Sequence, residues 1–399
     1  MKKPLNGVRV LDFTWVVAGP VATRILADHG VEVVKIERKI PPPLGDRKRG
    51  LQCDLHRNKV SVAINMSNPA GLDLARKLAA KSDLVIDNFS ARVMRAWGMD
   101  YQSLVQIKPD IICVSMSGLG HTGPLSSYVS YGPTLQALGG YTMLMAETTG
   151  EPAGFGYSYA DMAGGYTGAL AALIALYHRR RTGRGQFVDL SQFEALVSVI
   201  GPSVLDLTAN GRAPKPPHYD SQEGPAGPHG VYRCAPRDGD DDRWVAIAVR
   251  TQSDWERFVA ALGSPGWASE SAFRTLYLRI QNRADLDAHV ERWTRKRSAE
   301  DVMNLLQRHK IAAGVVSNGV DMCARDPQLA ERGFWPAVKH PDGSPSQVTG
   351  VPFKMSGGSG SVRTIAPDVG ENNDHVLGDI LGLSRAERDA LIASGAVWP

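Results

Sequence analysis

The chain has 399 residues, of which 43% are hydrophobic and 22% charged, and a formal net charge of +4. That length is too great for one small core, so two domains are expected. The composition is that of an ordinary soluble globular protein, and with no sustained basic stripe the mild positive charge argues against nucleic-acid binding.

The first elements alternate. Residues 8–13 read as a strand ending near Ala18-Gly19-Pro20, and Pro20 suits the first turn of a helix. Helical spacing over 22–29 stops at Gly30, and a second strand follows over 31–37. The pattern then repeats: strand 60–64, helix 69–80, strand 83–87, helix 91–97, strand 111–116. Such alternation predicts a parallel, doubly wound sheet with ligands at the carboxyl ends of its strands.

Next comes Tyr157-Ser158-Tyr159-Ala160-Asp161, which places an acid at the mouth of a helix of small and apolar residues. That helix runs through Ala169–Leu176 into the basic tail His178-Arg179-Arg180-Arg181. Its apolar part is too short to span a bilayer, so no membrane association is expected. A strand over 186–190 and a helix from Gln192 follow. Five prolines between Asn210 and Pro228 read as an extended linker. Strands over 231–234 and 244–249, with helices near 255–262, 285–295 and 299–309, predict a smaller α+β domain. A second crossing near 327–334 leads to short strands and a last helical region, 375–394.

Cys53, Cys113, Cys234 and Cys323 lie far apart without a Cys-x-x-Cys pair, and the ten histidines show no ligand spacing. No metal site is expected, and with no signal-like start the chain reads as a reduced cytoplasmic protein. Gly118-Leu119-Gly120-His121-Thr122-Gly123 matches G-x-G-x-x-G after a strand, but no clear helix or matching acid follows. A glycine turn that lets backbone approach a ligand fits better than nicotinamide binding. Glu37-Arg38 closes the first βαβ unit where an adenosine would be read, and Arg47-Lys48-Arg49 lies just downstream. Together they suggest a nucleotide carrying several phosphates, with a solvated basic turn as the plainer alternative. Asp161 is open to two readings. Aspartate is a good N-cap. A carboxylate at a helix N-terminus is also kept anionic and can attack an acyl carbon.

Taken together, these segments resemble the family III CoA-transferases, the CaiB/BaiF group that includes formyl-CoA and carnitine CoA-transferases. The likeness is carried by Leu11-Asp12-Phe13 with Ala18-Gly19-Pro20, Val34-Lys35-Ile36-Glu37-Arg38, Asp83-Leu84-Val85-Ile86-Asp87-Asn88-Phe89 and Ser117-Gly118-Leu119-Gly120. It continues through Asp161-Met162 with Gly165 and Gly168, Thr182-Gly183-Arg184-Gly185-Gln186, Pro228-His229-Gly230-Val231-Tyr232, Asp326-Pro327-Gln328 and Val351-Pro352-Phe353. The resemblance implies a Rossmann-like large domain formed by both chain ends, a small α+β domain, and an interlocked homodimer. It places the large domain at 1–205 and 346–399, linkers at 206–228 and 326–345, and the small domain at 229–325.

The implied activity is acyl-CoA:carboxylate CoA transfer with no permanently bound cofactor, coenzyme A entering as acyl-CoA substrate. Asp161 falls at the position of the catalytic aspartate, which forms an aspartyl-CoA intermediate. Val17, Ala18, Arg38, Asn88, Phe89, Met94 and Arg95 fall at CoA-contacting positions, and Gly120 and His121 of the glycine turn are grouped with them. Tyr131, Tyr157 and Tyr159 are candidates for the acyl side. Val17 departs from the glutamine often present in formyl-CoA transferases, and Ser221-Gln222-Glu223-Gly224-Pro225-Ala226-Gly227 replaces their tetraglycine lid. Two alternatives stand beside this reading. An alpha-methylacyl-CoA racemase would need further proton carriers where Tyr131, Ala160 and Thr251 stand. A CoA-binding subunit of a heteromeric transferase would need a second chain.

Overall fold

The computed structural model describes residues 3–39, 47, 50–146, 151–154, 156–212, 225–340 and 343–399. Lys48 and Arg49, most of the proline-rich linker, and residues 221–224 at the lid position lie outside them. The chain forms two compact units, one from the described residues of Met1–Ala146, Glu151–Gly201 and Gln328–Pro399, the other from those of Pro202–Pro327.

The larger unit is built on six parallel strands: β1 (Arg9–Asp12), β2 (Glu32–Glu37), β3 (Val60–Ala63), β4 (Leu84–Asp87), β5 (Ile112–Ser115) and β6 (Gln186–Asp189). Their spatial order is β3-β2-β1-β4-β5-β6. Val10 of β1 sits between Val33 of β2 and Leu84 of β4. Near-continuous apolar strands of this kind form sheets covered on both faces. One face packs on α3 (Pro69–Ala80) and α5 (Tyr101–Ile107), together with Val376, Leu377 and Val397 from the chain end. The Trp398 N–H donates to the Ala63 carbonyl at 3.0 Å, fastening the last residues beside β3.

The other face packs on α1 (Ala18–Asp28) and α8 (Tyr159–Thr182). These two helices approach closely because α8 presents glycine at the seam. A Cβ on Gly165 would lie 2.6 Å from the Val21 side chain and 2.8 Å from the Ala18 carbonyl, and one on Gly168 would lie 2.5 Å from Met116. Gly183, at φ 71°, ends α8 in the left-handed conformation that glycine adopts without strain.

The expected strands form within a residue or two, and α3 spans the expected residues. Other boundaries move. α1 begins at Ala18, four residues before the helical spacing becomes regular, with Pro20 inside its first turn. The helix from Gln192 breaks before Gly201-Pro202 into α9 (Gln192–Val199) and α10 (Gly201–Asn210). The terminal region likewise divides into a π-helical turn, His375–Ile380, and a helix, Arg385–Ala393, on either side of Gly382 at φ 75°. The unit also holds an antiparallel strand pair, Ala337–Lys339 with Pro345–Gln347, and the short helices α2 (Gly50–His56), α4 (Ala91–Ala96), α6 (Gly132–Leu138) and α7 (Tyr141–Leu144). Of these helices only α4 has a counterpart in the sequence reading.

The smaller unit holds a three-stranded antiparallel sheet, β7 (His229–Arg233), β8 (Trp244–Ala248) and β9 (Ala312–Val315). Helices Gln252–Ala261, Arg283–Thr294 and Ala299–Arg308 cover a core that includes Trp255, Phe258, Phe273 and Leu286. Buried Arg243 is neutralised by Asp321 at 2.6 Å and Glu300 at 2.8 Å, as an interior guanidinium requires.

The glycine seam gives a direct test. Gly165→Val should cost about 2–3 kcal/mol by overpacking the α1–α8 contact. Gly154→Val, in open space, should stay within about 0.5 kcal/mol. Urea unfolding of both variants makes the comparison.

Candidate active site

Strand order reverses at β1 and β4, so the loops leaving these two strands diverge and open a crevice. Side chains from three strands and their loops hold the backbone there. Asp12 accepts from the Thr14 N–H at 2.7 Å, and buried Lys35 of β2 donates to the Thr14 carbonyl. Asn88, just beyond β4, accepts from the Trp15 N–H and donates to the Trp15 carbonyl, both at 2.9 Å. Both backbone groups of two successive residues are thereby satisfied.

Val16 follows at φ 62°, a conformation that costs a β-branched residue of order 1–3 kcal/mol and persists only where the surroundings impose it. The chain then turns into α1. Burial works against the charge on Asp12, but Lys35, Lys59, Thr14 and Thr23 together hold it below the usual carboxylate range. Burial also lowers Lys59 to about 7, against the pull of Asp12, from which it stands 3.4 Å away.

Two cavities adjoin this loop, both within the larger unit. The first, about 390 Å³, is lined by Phe13, Lys35, Glu37, Arg38, Arg47, Gln52, His56 and Trp97, among others. Arg47 makes a bidentate pair with Glu37, both contacts at 2.7 Å, and Glu37 also accepts from Ser61. His56 is held well below its usual pKa by burial first and then by the Lys59, Lys35 and Arg47 cations, so it enters as neutral imidazole.

The second cavity, about 210 Å³, is lined by Asp161, Ser117, Tyr128, Tyr131, Leu135 and Gln192, among others. Trp15, Val16, Phe89 and Val93 line both cavities, so the held loop and the start of α4 separate and connect them.

Asp161 is the third residue of α8, and the cap position belongs to Ser158. The acid expected ahead of the helix therefore lies inside its first turn, still at the positive end of the helix dipole. Gly132, the first residue of α6, presses against it: a Cβ there would stand 2.5 Å from Asp161 Oδ2 and 1.5 Å from Ser158 Oγ. Burial raises the Asp161 pKa. The Ser158 hydroxyl and the Ala18 N–H favour the anion without reversing that shift. The helix end favours the anion, and desolvation works against it, leaving the pKa raised. A half-buried carboxylate with a raised pKa is a stronger base and nucleophile than an exposed one.

The crevice brings Asp161, Arg38, Asn88, Phe89 and Tyr131 to its cavities. Val17 and Ala18 are buried in the first turn of α1, where the Ala18 N–H faces Asp161. Met94 points into the core on the α3 face, and Val93 takes the lining position beside it. Arg95 is exposed near Asp100, at 3.9 Å. Gly120 and His121 line neither cavity: Gly120 has φ 84°, and the His121 N–H donates to Asp189 at 2.9 Å. Tyr159 stacks on Tyr141 with ring centroids 5.4 Å apart, and Tyr157 is exposed. The glycine turn is followed by bends and no helix until Gly132, so it lacks the helix N-terminus that a dinucleotide fingerprint needs. Ala160 is fully buried, and Thr251 caps the Gln252–Ala261 helix through Asp254.

Sequence reasoning missed Trp15, Val16, Lys35, His56, Ser117, Gly132 and Gln192. Lys35 carried a readable signal, a lone cation inside the apolar run Val33-Val34-Lys35-Ile36. Such a side chain is buried and must find partners.

The fold is thus of the doubly wound α/β class, with a desolvated carboxylate in one cavity and cationic side chains in the next. A family model described as CoA-transferase family III matches residues 5–373, and the chain belongs to that family. It is 28% identical to a succinyl-CoA–D-citramalate CoA-transferase of Chloroflexus aurantiacus, over 99% of this chain and 98% of the relative. A formyl-CoA:oxalate CoA-transferase of Rhodopseudomonas palustris is also 28% identical, over 100% and 98%. Among solved structures, a CaiB/BaiF family protein from Brucella suis superposes with a TM-score of 0.83 at 28% identity, covering 95% of this chain and all of that one. The chain is accordingly a CoA-transferase, and the family and these relatives carry its assignment to acyl-CoA:acid CoA transfer.

One buried acid beneath the crevice has a distinct pH signature. Asp87 ends β4, accepts from Ser115 at 2.6 Å and from the Phe89 N–H at 3.1 Å, and is raised by burial to about 6. The native state therefore holds this proton where the unfolded chain has lost it, and stability falls as pH rises from about 4 through 6. Asp87→Asn removes that dependence. Relative to the native protein, the variant should gain of order 3 kcal/mol between pH 4 and pH 7.5 in urea unfolding.

Proposed function

We propose that this protein exchanges coenzyme A between an acyl-CoA and a free carboxylic acid through a covalent Asp161–CoA intermediate. The observation that carries the proposal is the desolvated Asp161 carboxylate at the floor of a cavity joined to a cation-lined one. The CoA nucleotide occupies the first cavity, its phosphates met by Arg38 and Lys35. The pantetheine arm passes Trp15 and Phe89, and the thioester enters the second cavity beside Asp161.

The chemistry then runs in four displacements. An Asp161 oxygen attacks the acyl carbon, the C–S bond breaks, and CoA thiolate leaves a mixed anhydride. The thiolate attacks the Asp161 carbonyl, forming the aspartyl thioester and releasing the first carboxylate. The acceptor carboxylate attacks the same carbonyl, expelling thiolate and forming a second anhydride. Thiolate attacks the new acyl carbon, and Asp161 is regenerated. Thioester energy is conserved, and no permanently bound cofactor enters any step.

The proposal includes an interlocked homodimer, with domains at 1–205 plus 346–399 and at 229–325, joined by linkers at 206–228 and 326–345, acting in the cytoplasm. Tyr166, Leu170, Ile174 and Tyr177 form an exposed apolar stripe along α8. A stripe of this kind supports protein contact there. No helix among the described residues is long and apolar enough to cross a membrane.

Incubation with acyl-CoA followed by hydroxylamine should yield an Asp161 hydroxamate in the native protein and none in Asp161→Asn. Transfer by that variant should fall by at least about a thousandfold. The native rate of acylation should decline as pH falls through an apparent pKa above 3.8, because protonation removes the nucleophile whose pKa burial has raised. Peptide mass spectrometry and a pH–rate profile read both outcomes, and no Asp161 adduct across a broad acyl-CoA panel would refute the mechanism.

A further inference from the structure

The two adjoining cavities differ sharply in charge. Lys35, Arg38 and Arg47 line the first; Arg47 is paired with Glu37, and Lys35 stands 4.0 Å from buried Asp12. Among the described residues lining the second there is no Arg, Lys or His, and its one ionisable acid is Asp161. The sequence carries the same division further. From Thr122 to Tyr177 the chain contains no Lys, Arg or His at all, while Glu147, Glu151 and Asp161 fall within that span. This is the segment that supplies the wall and floor of the second cavity: Ser126, Tyr128, Val129, Tyr131, Leu135 and Asp161.

A second carboxylate on the acyl group would meet an unfavourable field here. A buried carboxylate needs a cation or several N–H donors to offset its desolvation. The cavity offers no such cation, and the Asp161 anion repels a like charge. What it offers instead is neutral. Ser117 is buried, and its hydroxyl has no hydrogen-bond partner. Gln192 spends its amide N–H on the Met116 carbonyl at 2.7 Å. Val129 and Leu135 supply apolar surface, and Tyr128 and Tyr131 supply rings.

From this segregation of charge we infer that the enzyme transfers CoA between monocarboxylic acids, whose aliphatic or aromatic acyl groups carry no charge beyond the reacting carboxyl. Dicarboxylic acyl groups, such as the succinyl and oxalate partners in the names of its relatives, are poor substrates. The inference rests on the CoA-transfer reading of the same site and narrows it to a substrate class. The first cavity keeps Arg38 and Lys35 for phosphate. The second stays neutral.

The test uses the full-length enzyme with one labelled neutral acyl-CoA, butyryl-CoA, and competing acceptors: isobutyrate and phenylacetate against succinate and oxalate. We expect kcat/KM for the better monocarboxylate to exceed that for either dicarboxylate at least tenfold. Val129→Arg, at an exposed lining position, places a cation at the cavity wall and should move the succinate-to-isobutyrate ratio at least tenfold toward succinate. Equal or better turnover of dicarboxylates by the native enzyme, or an unchanged ratio in a folded Val129→Arg protein, overturns the inference. Both results leave CoA transfer standing if Asp161 is labelled. Failure of every acyl-CoA, neutral or dicarboxylic, to label Asp161 instead refutes the transfer reading itself.

Discussion

The double hydrogen-bonded hold on Thr14 and Trp15 is the constraint on which the rest of the site depends. These residues leave the central strand β1 at the point where the sheet reverses, and a free loop there would wander across the crevice. Asp12, Lys35 and Asn88 instead claim four successive backbone groups. The fixed loop forces Val16 into a left-handed conformation and starts α1 at Ala18. It thereby sets where the Ala18 N–H meets Asp161 and where Trp15 divides the two cavities. The buried Asp12 charge that anchors this loop is offset by Lys35 and Lys59 beside it.

Asp161 shows how packing tunes chemistry. Its helix end favours the anion, yet burial against Gly132 and beneath the α1–α8 seam pushes the pKa the other way. The small residues of α8 matter for that reason. Glycine at the seam brings α1 close enough to desolvate the carboxylate and still leave an N–H aimed at it. A larger residue would open the seam, rehydrate the acid and misplace the donor together. The raised pKa of the carboxylate is therefore a property of the helix pair, not of aspartate alone.

Much of the framework was legible in the sequence because the inner parallel strands, buried on both faces, read as near-continuous apolar runs; edge strand β6, half exposed, also appears near its expected place. The short helices were not legible. Seven residues such as Gly50–His56 give too few turns for a period to show, yet that helix carries Gln52 and His56 to the first cavity. Register was the second blind spot. Each helical residue rotates by about 100°, so Val93 lines the cavity and Met94 enters the core although they are neighbours. Side-chain to backbone bonding was the third: Asn88 stood out in the sequence, but nothing in the local words revealed that its partner would be Trp15, 73 residues earlier. Asp161 was singled out through the company of its motifs. Its position inside the first helical turn, with Ser158 as the cap, required the fold.

The central claim is that the cation-lined cavity and the Asp161 cavity are two ends of one CoA site divided by the held loop. A crystal structure of the Asp161→Asn protein with an acyl-CoA tests it most directly. The account predicts the nucleotide against Lys35 and Arg38, the pantetheine arm over Trp15 and Phe89, and the thioester carbon about 3–3.5 Å from the residue 161 side chain. A well-ordered CoA lying elsewhere, or one entering the first cavity with its thioester directed away from residue 161, would contradict it.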